Sequence, residues 1–244
     1  MDEKYYAFML LALLSEILGT VSGFGSSILF VPIASLFFDF KSVLGITAIF
    51  HVFSNLSKIM LFRNGVNKNI VFKLGIPAVI FVIIGAYITT FLPTQHIEMA
   101  MSVALVILAV YLMVYSNKVI QQSNTNLYLG GIASGFLAGI VGTGGVIRGI
   151  TLAAFQLKKE MFVATSALID LGVDYSRAVV YTSHGYFTRE YVFLIPFLIG
   201  ISLLGSYLGK LILAHTSETI FRYLVLAVII ATSLLQIVKY YFNG

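Results

Sequence analysis

Ser22-Gly23-Phe24-Gly25-Ser26-Ser27 lies at the middle of an apolar run from about 5 to 38. A continuous helix over that run would be roughly 51 Å long at 1.5 Å per residue, against a hydrocarbon core of about 30 Å. Glycine and serine weaken a helix and let the backbone open, so the run is predicted to break there. A second overlong run, about 127 to 155, has the same character at Val141-Gly142-Thr143-Gly144-Gly145. Such breaks are tolerated at membrane depth only where the freed N–H and C=O groups are buried in protein or face a wet cavity.

The rest of the chain requires the membrane that this reading assumes. Of its 244 residues 59% are hydrophobic and 10% charged, and the mean hydropathy is +0.98. Soluble domains carry about 25% charged residues, so this chain cannot cover a water-facing surface, and soluble enzymes and nucleic-acid-binding modules are excluded. Further apolar stretches fall at about 43 to 62, 69 to 92, 97 to 115, 161 to 182, 189 to 213 and 218 to 241, joined by short connections. The first run lacks a basic n-region and a cleavage signature, so it is expected to stay as a membrane segment. The net charge of +5 comes from basic residues scattered between apolar runs, which read as topology signals, with no nucleic-acid partner implied. Cysteine is absent. The histidines at 51, 96, 184 and 215 form no His-Glu-x-x-His pair, and Gly142-Thr143-Gly144-Gly145 lacks the Gly-Lys-Ser/Thr ending of a P-loop. No metal or cofactor is expected, and nothing in the pattern sets an oligomeric state.

Sliding the chain on itself by 119 positions superposes Gly23 on Gly142, Gly25 on Gly144, Ile28 on Ile147, Ala34 on Ala153, Ala48 on Ala167, Ser57 on Ser176 and Pro77 on Pro196. With 4 prolines in the chain, the last match marks a duplication. If each overlong run folds back as a hairpin, Arg63, Lys68, Lys73, Lys118, Lys158, Lys159, Lys210 and Arg222 lie at one face, and Lys4, Lys41, Arg189 and Lys239 at the other. A single crossing divides the cations more evenly, so the hairpin obeys the positive-inside rule better. It also puts both termini outside and inverts the two halves. The predicted fold is an all-α polytopic membrane protein of two inverted repeats, 1–117 and 118–244. Each repeat is a Gly-broken helical hairpin followed by three transmembrane helices, and together they form one transmembrane domain. Gly131, Gly135 and Gly139 have the small-xxx-small spacing of closely packed helices.

Ser166, Asp170, Asp174 and Arg177 share one helix face, and the shift pairs them with Thr47, His51, Asn55 and Lys58. Ionisable groups inside membrane helices are costly and default to function. Arg148, just past the second break, and Glu16, ahead of the first, complete the set. Lys58 could instead snorkel to the interface, and Asp174 and Arg177 could simply neutralise each other. Lys58, Arg148 and Arg177 nearly balance Glu16, Asp170 and Asp174, so proton uptake by a carboxylate would leave a pocket suited to a small anion. Gly25, Ser26, Ser27, Thr47, Asn55, Lys58, Thr143, Gly144, Gly145, Arg148, Ser166 and Arg177 are the candidate anion-binding residues, with helix N-termini at the breaks adding free N–H groups. Glu16, His51, Asp170 and Asp174 are the candidates for proton coupling.

Gly23-Phe24-Gly25-Ser26-Ser27-Ile28-Leu29-Phe30-Val31-Pro32, Thr47-Ala48 and Arg63-Asn64-Gly65, followed by Gly139-Ile140-Val141-Gly142-Thr143-Gly144-Gly145, Ala164-Thr165-Ser166 and His184-Gly185-Tyr186-Phe187, resemble the TauE/SafE sulfite exporter family. The likeness spans nearly the whole chain. It implies a duplicated, eight-segment carrier in the cell membrane that moves small sulfur-containing anions such as sulfite, sulfoacetate or thiosulfate, often outward. The chain departs from the family pattern at Ser26-Ser27, where glycines are usual, at Arg148, an aliphatic position, and at Thr151, where proline is usual. The expected function is secondary, proton-coupled transport of such an anion. An anion channel built from the same breaks, and an intramembrane hydrolase without a Gly-x-Ser-x-Gly elbow, are the other readings of these residues.

Overall fold

The protein is described by a computed structural model covering residues 3–22, 25–35, 37–62, 65–114, 121–213, 230, 234 and 238. Gly23, Phe24, Arg63, Asn64, Lys118, His215, Arg222, Lys239 and most of the last apolar stretch lie outside the described residues.

Both overlong runs break at their glycines. Helix α1 (Glu3–Ser22) stops before Gly25, whose φ is +86°, and α2 (Ser27–Ala34) begins after it. Among the described residues up to 213 the further helices are α3 (Phe40–Leu61), α4 (Lys68–Phe91), α5 (Thr94–Val114), α6 (Asn124–Val141), α7 (Gly145–Ala153), α8 (Lys159–Ser183) and α9 (Arg189–Leu213). Gly142, at φ +82°, separates α6 from α7. Side chains accept from the opening N–H groups at three starts: Asp39 from Ser42 in α3, Asn67 from Ile70 in α4, and Ser123 from Asn126 in α6. The matched prolines sit where the helix departs from α geometry. Pro77 follows a π-helical turn at Val71–Gly75, and Pro196 follows a 3-10 opening at Arg189–Leu194. Proline supplies no N–H to the preceding turn, and the irregular windings absorb that loss.

Contacts fix the helix directions. Gly144 lies against the Ser134 carbonyl and Gly130 against Thr151, so α7 runs back along α6. Glu16 touches Gly205 and Thr20 touches Gly209, so α1 and α9 are parallel. Ser202 bonds the Phe50 carbonyl and Lys210 the Leu61 carbonyl, making α3 parallel to α9. Gly131, Gly135 and Gly139 pack on the carbonyls of Leu74, Ala78 and Val82, making α4 and α6 parallel. Gly75 meets Ile169 and Val79 meets Gly172, which aligns α8 with α4. Finally, α3 and α8 cross antiparallel, with Asn55 against Asp174 and His51 against Arg177. Helices α1, α3 and α9 therefore run from one face, face A, to the other, face B, and α4, α6 and α8 run from B to A. Lys68, Lys73, Lys158, Lys159 and Lys210 cluster towards face B, with Lys41 and Arg189 towards face A.

The contacting pairs exchange under the 119 shift. α1 on α9 corresponds to α6 on α4, α3 on α9 to α8 on α4, and α2 on α3 to α7 on α8. Among the described residues five helices are long and apolar enough to cross a membrane, and the 25-residue α8 carries Asp170, Asp174 and Arg177. Exposed apolar side chains such as Ile76, Ile80, Ile83, Leu203, Leu204 and Leu211 line the outer surface, where a bilayer would cover them.

The glycine seam has a direct test. A methyl group on Gly135 would strike the Ala78 backbone, whereas one on Gly200 meets nothing within 4 Å. Gly135→Ala should cost about 1–3 kcal/mol and lower the thermal unfolding temperature in detergent, and Gly200→Ala, which only removes a mid-helix glycine, should hold or raise it.

Candidate functional site

The antiparallel crossing of α3 and α8 brings the two polar faces together at equivalent positions. Asn55 Nδ2 donates to Asp174 Oδ2 at 2.7 Å, and these two residues are counterparts under the 119 shift. Arg177 stands 2.7 Å from Asp174 Oδ1 and donates to the Gly142 carbonyl at 2.6 Å. That carbonyl points inward because Gly142 turns left-handed, a conformation a side chain would strain. The second break thus presents its freed carbonyl to a buried guanidinium.

His51 continues the network. Arg177 Nη2 lies 3.2 Å from His51 Nδ1, and the Ser26 hydroxyl lies 2.9 Å from His51 Nε2. Guanidinium can only donate, so Nδ1 accepts and, in the neutral ring, Nε2 carries the proton and donates to Ser26. Ser26 in turn donates to Glu16 Oε2 at 2.8 Å. Glu16 is fully buried and accepts from Lys58 at 2.9 Å, Ser54 at 2.7 Å and Ser206 at 2.8 Å, with Thr20 at 3.4 Å. Its carboxylate joins α1, α2, α3 and α9. On the other side Arg148, near the start of α7, pairs directly with Asp170 and donates through Nε to Ser166 at 2.9 Å.

Three cations are therefore matched by three carboxylates, and the ionised site is neutral. Lys58 and Arg148 are 6% and 4% exposed, so both face the interior and the snorkelling alternative for Lys58 does not apply. Gly25, Ser26, Ser27, His51, Asn55, Lys58, Gly142, Gly144, Gly145, Arg148, Asp170, Asp174 and Arg177 line one cavity of about 20 Å³, room for about one water molecule. Ser27 also donates to Thr143 at 3.3 Å, tying the first break to the second. Thr143 does not line this cavity. Ser166 lines an adjoining one, and Thr47 is fully buried with no hydrogen-bond partner for its hydroxyl. Sequence reasoning missed Ser54 and Ser206. Ser54 was within reach, being one turn before Lys58. Ser206 sits in an apolar run, and nothing local marks its distant partner.

The family description "Sulfite exporter TauE/SafE" matches residues 8–235, and the chain belongs to that family. It is a multi-pass membrane protein of a transporter family. A probable membrane transporter protein of Methanocaldococcus jannaschii is 29% identical over 172 residues, which span 62% of this chain and 63% of the relative. No solved structure matches.

Removing one member of a buried pair strands its partner, at about 3–5 kcal/mol. Arg148→Ala should therefore destabilise the protein strongly, and adding Asp170→Ala should recover part of the loss. Chemical denaturation of the two single variants and the double variant measures the coupling, and additive losses would mean that the pair does not interact.

Proposed function

We propose that this member of the TauE/SafE family is a secondary carrier of a small anion, of the sulfite, thiosulfate or sulfoacetate class, rather than a channel or an enzyme. The observation that carries the reading is the self-neutralised cluster of Lys58, Arg148 and Arg177 at the meeting of two broken helices. Three buried cations held by internal carboxylates make a site that an external oxyanion can enter only by taking a carboxylate's place. Gly25, Ser26, Ser27, Asn55, Gly144 and Gly145 supply hydroxyl, amide and backbone N–H groups around that position, with Thr143 behind Ser27 and Ser166 on Arg148. The family's description as sulfite exporters supports the sulfur-containing class. A pocket with room for one water molecule fits an occluded carrier and not an open conduit.

The two halves, 1–117 and 118–244, act as inverted repeats that rock about this site. Supporting this, α1, α3 and α4 run opposite to their counterparts α6, α8 and α9. Face B, with the larger cluster of lysines, is cytoplasmic by the positive-inside rule.

Proton coupling follows from the same pairing. Asp170, with 14% of its side chain exposed against 7% for Asp174, is the best placed to accept a proton. Its neutralisation frees Arg148 for the anion, so proton and anion bind together and travel together. A divalent oxyanion moving with one proton carries one net negative charge, so an inside-negative potential favours export. His51 and Asp174 are further candidates. Glu16, saturated by donors from four helices, suits an anchoring role better than proton transfer.

Flux into liposomes, tested with sulfite, thiosulfate, sulfoacetate and a carboxylate control, should saturate and be accelerated by substrate on the opposite side. Arg177→Ala and Asp174→Asn should abolish it in the fraction of protein that remains folded and monodisperse. Linear flux without trans-stimulation would identify a channel, and normal flux in both variants would remove those residues from the site. Acidification on the anion-loading side should raise the initial rate.

A further inference from the structure

The first cavity adjoins a second, bounded by Thr20, Lys58, Val163, Ser166, Ala167 and Asp170. Lys58 and Asp170 border both. The second cavity lies towards face B, where α1 and α3 end and α8 begins. The 119 shift carries Val163, Ser166, Ala167 and Asp170 onto Leu44, Thr47, Ala48 and His51 of α3, and Lys58 onto Arg177. These counterparts occupy the mirror position, between the site and face A.

There the space is closed. Leu44, Thr47 and Ala48 are each 0% exposed, against 6%, 5% and 1% for Val163, Ser166 and Ala167, and the Leu44 side chain lies against Gly142. Two tyrosines seal the approach. The Tyr181 hydroxyl donates to the Gly139 carbonyl at 2.7 Å, the Tyr186 hydroxyl to the Thr89 carbonyl at 3.2 Å, and the rings stack at 5.1 Å with Lys41 over Tyr186. On face B the counterpart of Tyr181 is Phe62, which has no hydroxyl to bond and lies under Lys210. Face A is therefore held by tyrosine hydroxyls, whereas face B is held by Lys210 on the Leu61 carbonyl and by the Asn67 N–H on the Thr165 hydroxyl.

One residue does not fit the closed arrangement. The Thr47 hydroxyl is buried without a partner, a state that is costly to maintain. Its counterpart Ser166 is bonded to Arg148 and borders a cavity. A hydroxyl that is stranded in one arrangement and hydrated in another accounts for both facts.

We propose that Leu44, Thr47, Ala48 and His51 line a second entrance to the anion site, closed in this structure by the Tyr181–Tyr186 latch and opening towards face A as the passage beside Val163 and Ala167 closes. The proposal rests on the carrier reading and assigns residues to the outer half of its path.

The chain has no cysteine, so single introduced thiols report directly. Ala167→Cys and Ala48→Cys would be exposed to a membrane-impermeant, charged methanethiosulfonate in vesicles of either orientation. Ala167→Cys should react from face B only, and Ala48→Cys slowly from face A only. Adding Tyr186→Phe should raise the Ala48→Cys rate about fivefold, the equivalent of one net hydrogen bond, and lower the Ala167→Cys rate. Leu44→Cys reads the same passage if Ala48→Cys fails to fold. Thiols at both α3 positions inert from face A in both backgrounds, reactive from face B, or indifferent to Tyr186→Phe would overturn the proposal. Labelling needs no substrate. The expected pattern without anion flux would therefore fault the substrate reading alone, and flux with an inert α3 would fault the entrance alone.

Discussion

Charge buried at membrane depth must be balanced from within, and this constraint organises the structure. An unpaired cation there costs several kcal/mol, so Lys58, Arg148 and Arg177 each need a carboxylate. The carboxylates come from different elements: Glu16 on α1 for Lys58, and Asp170 and Asp174 on α8 for Arg148 and Arg177. Satisfying them draws α1, α3, α7 and α8 to one point. At the antiparallel crossing of Asn55 and Asp174 the stripes of both halves share those partners.

The broken helices follow from the same requirement. Within a continuous helix each carbonyl already accepts a backbone N–H, whereas a break leaves carbonyls with no such bond and free for a side chain. Gly25 and Gly142 turn left-handed and release such groups. Arg177 takes the Gly142 carbonyl, and the breaks are joined by the Ser27–Thr143 contact. The close seam of Gly131, Gly135 and Gly139 on α4 holds α6 firmly enough for its broken end to stay in register. Rigid parallel helix pairs thus surround a centre whose bonds are mostly between side chains, which is where rearrangement is least costly.

Much of this was legible in the sequence. Run length against bilayer thickness locates the breaks, and the 119 shift pairs Asn55 with Asp174 from sequence alone. Pairings were not legible, because nothing local says that Lys58 meets Glu16 and not Asp170, or that Ser206 reaches back 190 positions to Glu16. Thr47 shows the limit most clearly. Pattern placed it with the anion ligands, whereas packing leaves its hydroxyl buried with no partner, because the helix position is set by Leu44 and Ala48 on either side. Irregular turns before Pro77 and Pro196 were likewise invisible, since proline marks the position but not how the preceding turn rewinds.

The central claim is that an oxyanion replaces a carboxylate between the two broken helices, and anomalous diffraction tests it most directly. Crystals grown with selenite, a heavier analogue of sulfite, should show an anomalous peak within hydrogen-bonding reach of Arg148 and Arg177, with Asp170 displaced from its guanidinium partner. A peak only at the lysines of face B, with all three internal ion pairs intact, would contradict the account.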